Sequence, residues 1–217
     1  MDIPAEAFAE ILQELEQKPL HENKYRTAAG NGRSQAFLVV NRRCLPPDYS
    51  RQCWMRPKLL YHLKEFADKY VDISYNAITV NQSYAAAPHY DKHNVGNSFL
   101  VAFGNYTGGR LKIHEGDLSG NHDIRHKPIR ADFSKILHSV EDFQGERYSL
   151  VFYNFWTPRL PSLPPWSVRK EGDKFFFYRG EEKITTKNGL PHPLRGKKKE
   201  PESRMKKVDK PVTVTWG

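Results

Sequence analysis

The sequence predicts an α+β fold, mainly β: an antiparallel jelly roll with helices buttressing one side. Two observations carry this. Up to residue 71 the apolar residues recur mostly with a helical period. From Asp72 the period drops to two, in short runs at close spacing separated by Gly, Asn and Asp. Short strands preceded by helices, with no internal repeat, fit a jelly roll with a helical buttress.

In order along the chain, residues 4–17 place Phe8, Ile11, Leu12 and Leu15 on one helical face, with a proline in the first turn. Residues 28–34, containing Gly-Asn-Gly-Arg, read as a loop, and 36–40 as a short strand. Residues 57–70 align Leu59, Leu60, Leu63, Phe66, Ala67 and Tyr70, again with proline at the start. Strands are expected over 73–83, 98–103, 110–114, 135–140 and 147–155, with a late hairpin of 175–178 and 183–186 around Gly180. Residues 211–216 alternate like one further strand.

A chain of 217 residues is most simply one domain with extensions. Residues 1–71 are expected to form the helical and strand buttress, 72–190 the double-stranded β jelly-roll core and 191–217 a basic extension. No run of ~18 apolar residues is present to cross a membrane, and no basic patch followed by an apolar stretch marks a secretory signal. The expected location is therefore intracellular, and nuclear in a eukaryote because of the basic segment. The two cysteines, Cys44 and Cys53, are expected to be reduced thiols rather than a disulfide. Residues 195–210 hold eight Lys or Arg against three Asp or Glu, so more than half of the net charge of +9 lies there. Such a stretch, without apolar period, reads as a solvated segment, a phosphate-binding tail or a nuclear import signal.

The chemistry is concentrated in one ordered set: His89-Tyr90-Asp91, then His138, then Arg147-Tyr148-Ser149. In extended chain, residues i and i+2 point the same way, so His89 and Asp91 can share a metal. Two imidazoles and a carboxylate form the facial ligand set of non-haem Fe(II), which leaves coordination positions open. Arg147 and Ser149 share a strand face by the same period, so guanidinium and hydroxyl can meet one carboxylate. H-x-D alone is a weak signal in a chain with nine histidines, and His93, His114, His122 and His126 are decoys. The order of apolar strand, H-x-D, Gly-Gly turn, apolar strand, His and R-x-S raises it. Zinc is the inorganic competitor, but structural zinc takes four ligands rich in cysteine.

These residues, with Pro88 to Gly96, Ser98-Phe-Leu-Val and Tyr106-Thr-Gly-Gly-Arg-Leu111, make residues 73–155 resemble a 2-oxoglutarate- and Fe(II)-dependent dioxygenase on a double-stranded β-helix. Within that class the segment is similar to the TET/JBP group of nucleic-acid base oxygenases and their viral and transposon-associated relatives. The resemblance implies iron held by His89, Asp91 and His138, and 2-oxoglutarate held by Arg147; Ser149, on the same strand face, and Asn94, just after H-x-D, are further candidates to bind the co-substrate. It also implies dioxygen as co-substrate and hydroxylation of a base methyl group, that of 5-methylcytosine or thymine. Asn81 and Arg33, the latter in the segment 31–37, are its substrate-binding candidates. DNA is the expected partner, consistent with the pI near 9.4. Arg159 to Arg169 and Lys170 to Arg179 interleave basic and aromatic residues that could stack bases and meet phosphates.

Departures from neighbouring classes narrow the choice. Prolyl-hydroxylase-like enzymes commonly carry Lys where this chain has Arg147, which leaves a protein hydroxylase as the alternative. Alkylated-base demethylases carry a second Arg six positions on, where this chain has Tyr153. For Asn81, Asn94 and Asn97, strand-end or turn hydrogen bonding is the other reading. His114 is expected on a solvated face, and Gly108-Gly109 in a turn without catalytic role.

Overall fold

Phe8, Ile11 and Leu15 recur at helical spacing, and a 3-10 turn, Ala5–Phe8, runs there into α1, Ala9–Gln17. The three are buried while Glu10 and Glu16 face outward, so the amphipathic stripe forms the helix's contact with the core. In the computed structural model, which describes residues 2–21, 30–41, 48–155 and 163–186, three strands follow. They are β1 (Gly30–Phe37), β2 (Val40–Asn41) and β3 (Asp48–Tyr49). Then come α2 (Gln52–Met55) and α3 (Pro57–Tyr70). The bounds of α3 match the sequence expectation: Pro57 starts it, Leu59, Leu60, Leu63, Phe66 and Ala67 are buried, and the Val71 amide closes it on the Ala67 carbonyl.

The remaining strands are β4 (Ala77–Ala86), β5 (Asn94–Gly108), β6 (Leu111–Ile113), β7 (Gly120–His122), β8 (Ile129–Ala131), β9 (His138–Val140) and β10 (Phe143–Phe155), then β11 (Trp166–Glu171), β12 (Lys174–Arg179) and β13 (Glu182–Ile184). A major antiparallel sheet has the order β1-β4-β10-β5-β8, and a minor one the order β7-β6-β9. Together they form the double-stranded β-helix. β11, β12 and β13 make a separate meander; its last turn is the hairpin expected around Gly180, with Phe177 opposite Ile184.

The major sheet separates two apolar cores, and strand alternation sorts the residues between them. Phe99, Val101, Phe103, Tyr148, Leu150 and Phe152 point to the helices and join Leu59, Leu63 and Phe66. Each fully buried Leu or Phe there contributes roughly 1.5–3 kcal/mol. Leu100, Ala102 and Tyr106 point the other way, toward Leu111 and Ile113 of the minor sheet. On β10 the same alternation sends Arg147, Ser149, Val151 and Tyr153 into a cavity between the sheets. Helices thus sit on one face of the sheet and the chemistry on the other.

Two sequence expectations are corrected here. Gly30–Phe37 is an edge strand, not a loop to residue 34: its backbone pairs with β4 although Gly-Asn-Gly-Arg-Ser has little strand propensity. The strand expected over 36–40 is broken at Leu38, whose φ is 66°. The register of β1 on β4 slips between Asn31 and Arg33. Gly32 makes the slip possible, because a Cβ there would lie 2.2 Å from the Ser83 carbonyl oxygen. Opposite it, Ser83 has a φ of 48° and shifts the alternation by one, so that Thr79 and Asn81 before it and Tyr84 and Ala86 after it all line the cavity. Cys53 is a buried free thiol whose Sγ accepts the Leu38 amide at 3.2 Å; burial pushes its pKa up to about 11. Cys44, Arg159 and the segment 191–217 lie outside the described residues.

Candidate metal centre and anion pocket

His89, Asp91 and His138 come together as the sequence expects: one ligand atom from each lies within 4.8 Å of the others. His89 Nε2 is 3.6 Å from Asp91 Oδ1, and the two imidazole centroids are 4.3 Å apart. The backbone sets this up. His89 and His138 form an antiparallel bridge, and the Asp91 amide donates to the Phe133 carbonyl at 2.9 Å. Each imidazole also donates its Nδ1–H to a carbonyl two residues earlier, His89 to Ala87 at 2.7 Å and His138 to Ile136 at 2.9 Å. That bond fixes the tautomer and presents Nε2 to the cluster. Burial, with His89 nearby, holds His138 below the usual imidazole range, which keeps its lone pair available.

Asn94, expected to touch a co-substrate, lines the cavity but donates its amide to Asp91 Oδ2 at 3.2 Å and to Ser98 Oγ at 3.3 Å. It therefore orients the carboxylate of the cluster. Asn97 is exposed and takes no part. Sequence reading missed Glu115. Its Oε1 accepts both the Tyr90 hydroxyl at 2.7 Å and the Leu137 amide at 2.8 Å, tying together the segments that carry the three ligands. These bonds hold the Glu115 carboxyl below its ordinary range, the Tyr90 bond foremost.

The cavity beside this cluster has a volume of about 340 Å³, within the range of small-molecule sites. Arg147 and Ser149 lie in its wall, both buried. Arg147 Nε donates to the Gly109 carbonyl at 3.0 Å. Burial lowers the guanidinium pKa from its very high ordinary value, yet a group of that type stays charged. Among the described residues no carboxylate lies within ion-pair distance of it. A buried cation without a carboxylate partner, facing a cavity, is built to receive an anion. Asn81 donates its amide to Ser149 Oγ at 3.2 Å, which leaves the hydroxyl proton for a further acceptor. Tyr153, at the position of the second arginine of alkylated-base demethylases, closes the wall with its hydroxyl 3.2 Å from Thr79 Oγ1.

The other candidates fall elsewhere. Arg33 does not line the cavity. It pairs with Gln82, whose side chain accepts the Leu20 amide on the helix-facing side of the sheet. Arg110 is held by Glu141 at 2.8 Å. His122 bonds the Leu118 carbonyl, and His126 stacks on Phe8 with centroids 5.1 Å apart. His114 is half-buried rather than solvated, because its Nε2 meets Ser139 Oγ at 2.8 Å. His93 lines the cavity near Phe155 but stands outside the ligand cluster. In the β11–β12–β13 meander, Arg169 covers the Tyr178 ring at 4.2 Å and Lys183 the Phe176 ring at 3.9 Å. Both cations are also paired with glutamates there, so the meander carries little unbalanced charge.

No protein-family model matches the chain, and no curated protein matches its sequence. Solved structures do. The chain is similar to NgTET1 in complex with 5mC DNA, at 14% identity and a TM-score of 0.47, over 70% of this chain and 69% of that one. It is similar to a prolyl-4-hydroxylase from Pseudomonas putida, at 13% identity and 0.43, over 70% and 86%. An oxidoreductase of the 2OG-Fe(II) oxygenase family from Burkholderia pseudomallei matches at 13% and 0.41, over 67% and 77%. At such identities and scores, what this chain does has to be read from its site.

Proposed function

We propose that the chain is an Fe(II)- and 2-oxoglutarate-dependent dioxygenase that hydroxylates the methyl group of a DNA base, 5-methylcytosine or thymine. One observation carries the enzyme class: a two-histidine, one-carboxylate cluster opens onto the same cavity as a buried arginine with no carboxylate partner. The donor set fits iron better than structural zinc, since it offers three ligands, none of them sulfur. Arg147 and Ser149 suit a dianion that would chelate the metal with one end and need its far carboxylate held. Iron with 2-oxoglutarate supplies the oxidation: with dioxygen the oxo acid is split to succinate and carbon dioxide, and one oxygen atom enters a C–H bond of the substrate.

The chain's own residues bind and orient. His89, Asp91 and His138 would hold the metal, with Asn94 steadying the Asp91 carboxylate and Glu115 tying the ligand segments together. Arg147 would donate from its guanidinium to the far carboxylate, while Ser149, oriented by Asn81, would donate its hydroxyl. Tyr153 and Thr79 close the wall and exclude water. No protein acid or base is required. The nucleic-acid half of the reading is supported by the motif resemblance, by the net charge of +9 and by the polar and aromatic groups at the cavity, including Tyr90, Lys92 and His93. In a duplex the target base would have to leave the stack to reach the metal.

Incubation with Fe(II), ascorbate and 2-oxoglutarate tests both halves. Succinate formation stimulated by methylated DNA, with a hydroxylated base found on mass spectrometry of the digested DNA, is expected. Stimulation by proline-containing peptides instead would replace the substrate with protein. No succinate under any condition would remove the enzyme class.

A further inference from the structure

Gly109 lies in the turn between β5 and β6, 38 positions from Arg147, and it is in contact with that side chain. Its carbonyl accepts the Arg147 Nε–H at 3.0 Å. Its φ is +65°, and a Cβ placed on it would lie 2.9 Å from Arg147 Cδ, 3.1 Å from Nε and 3.1 Å from Phe143 Cβ. A side chain at 109 would therefore strike the middle of the arginine, where no rotation of a flexible tip relieves the contact. The guanidinium is also flanked by rings: its carbon is 5.6 Å from the Tyr106 centroid and 6.0 Å from that of Phe143. With Nε taken by the Gly109 carbonyl and the Tyr106 side chain also bonded to the guanidinium, the remaining N–H groups are what an anion in the cavity would meet.

We propose that Gly109 is a positioning residue for the carboxylate clamp. Its missing side chain and its carbonyl together set the direction of the Arg147 fork, and so the preference for an oxo acid with a second carboxylate. The inference rests on the reading of Arg147 as that clamp. Gly108 is a built-in contrast: the atoms nearest a Cβ there would be backbone, the Asp142 carbonyl oxygen first at 2.5 Å.

The experiment measures equilibrium binding of 2-oxoglutarate and of 2-oxobutyrate, which lacks the far carboxylate, to the Mn(II)-loaded 217-residue chain without turnover. In Gly109→Ala the affinity for 2-oxoglutarate should fall on the order of tenfold to a hundredfold, the loss of about one charge-assisted hydrogen bond. Affinity for 2-oxobutyrate and for Mn(II) should hold, so the preference for the diacid collapses. Gly109→Asn tolerates a positive φ better yet carries the same Cβ, so it should lose the preference too and separates contact from backbone strain. In an Arg147→Ala background, Gly109→Ala should cause no further loss, because the two changes act through one group. Gly108→Ala should lower the melting temperature and leave the preference intact. A wild-type preference that survives in both Gly109 variants overturns the inference, as does a loss confined to the alanine variant. A wild-type protein that does not prefer 2-oxoglutarate overturns the reading of Arg147 itself, and the inference with it.

Discussion

His89 and His138 are locked to each other through their backbones: the His89 amide donates to the His138 carbonyl at 3.0 Å, and the His138 amide returns the bond at 3.1 Å. Forty-nine positions separate them in the chain, yet two of the three candidate ligands are tied by a reciprocal pair of backbone hydrogen bonds. Each imidazole is further held by its Nδ1–H bond to a carbonyl two residues earlier. The site is pre-organised by the same ladder that builds the jelly roll.

Substitution of any one ligand should therefore cost metal and not fold. His89→Ala, Asp91→Ala and His138→Ala are each expected to weaken Fe(II) or Co(II) affinity by more than the roughly 10–100-fold typical of losing an outer partner, and to abolish turnover. Melting temperatures of the metal-free proteins should stay close to wild type. His122→Ala should change neither metal affinity nor turnover. His126→Ala, which removes a ring stacked on Phe8, should lower stability alone. Metal titration followed by electronic absorption of Co(II) distinguishes these outcomes, and retention of wild-type affinity in a ligand variant would reject the assignment.

Arg147→Lys keeps the charge and loses the fork. Charge-assisted hydrogen bonds contribute roughly 1.5–3 kcal/mol each, so the 2-oxoglutarate requirement should rise at least about tenfold, with metal affinity little changed. Arg147→Ala should raise it further. Arg110→Ala should not, because that guanidinium is held at the surface by Glu141. KM for 2-oxoglutarate in the three variants is the measurement, and an unaltered KM in Arg147→Ala would move the clamp elsewhere.

How much of this was legible in the sequence follows from which signals are local. The helix of α3 could be read to the residue, because Pro57, an apolar face and the return to extended chain after Tyr70 all agree. The H-x-D pair was legible because residues i and i+2 point the same way in extended chain, and the Arg147–Ser149 pair because the same period runs within β10; His138 joined them through the order of the segments alone. β5 was read as 98–103 but runs from Asn94 to Gly108: Gly104, Asn105 and Gly108 are poor strand formers carried by pairing with β10. β1 was hidden for the same reason. Glu115 left no signal, and Gly108-Gly109 was legible only as a turn, since an exposed glutamate and a turn glycine acquire their roles only from partners 22 to 38 positions away.

The Glu115 bridge makes a graded prediction. Both of its bonds fall on one oxygen, Oε1. Glu115→Gln keeps an acceptor oxygen for both, and metal affinity should stay within about twofold of wild type. Glu115→Ala leaves the Leu137 amide and the Tyr90 hydroxyl to water, and affinity should fall by about three- to tenfold, the scale of one or two modest hydrogen bonds. Tyr90→Phe removes one bond and should fall between them. If the glutamine variant is as impaired as the alanine variant, the carboxylate acts through its charge and not as a tie between the ligand segments.

The basic C-terminal segment tests the partner. Lys197, Lys198, Lys199, Lys206 and Lys207 belong to the stretch that carries more than half of the net charge and none of the candidate ligands. On duplex DNA the logarithm of affinity falls with the logarithm of salt at about −0.9 per phosphate contact, because each contact releases a condensed counterion. Replacing the five lysines with glutamine should therefore weaken DNA binding and flatten its salt dependence together. Co(II) titration and 2-oxoglutarate binding should be unchanged, since those depend on β9, β10 and the H-x-D segment. Fluorescence anisotropy of a methylated duplex across a salt series reads the slope and the affinity at once. An unchanged slope with unchanged affinity would leave the segment as a solubilising or nuclear-import element, and base recognition would then rest on the cavity and its rim alone.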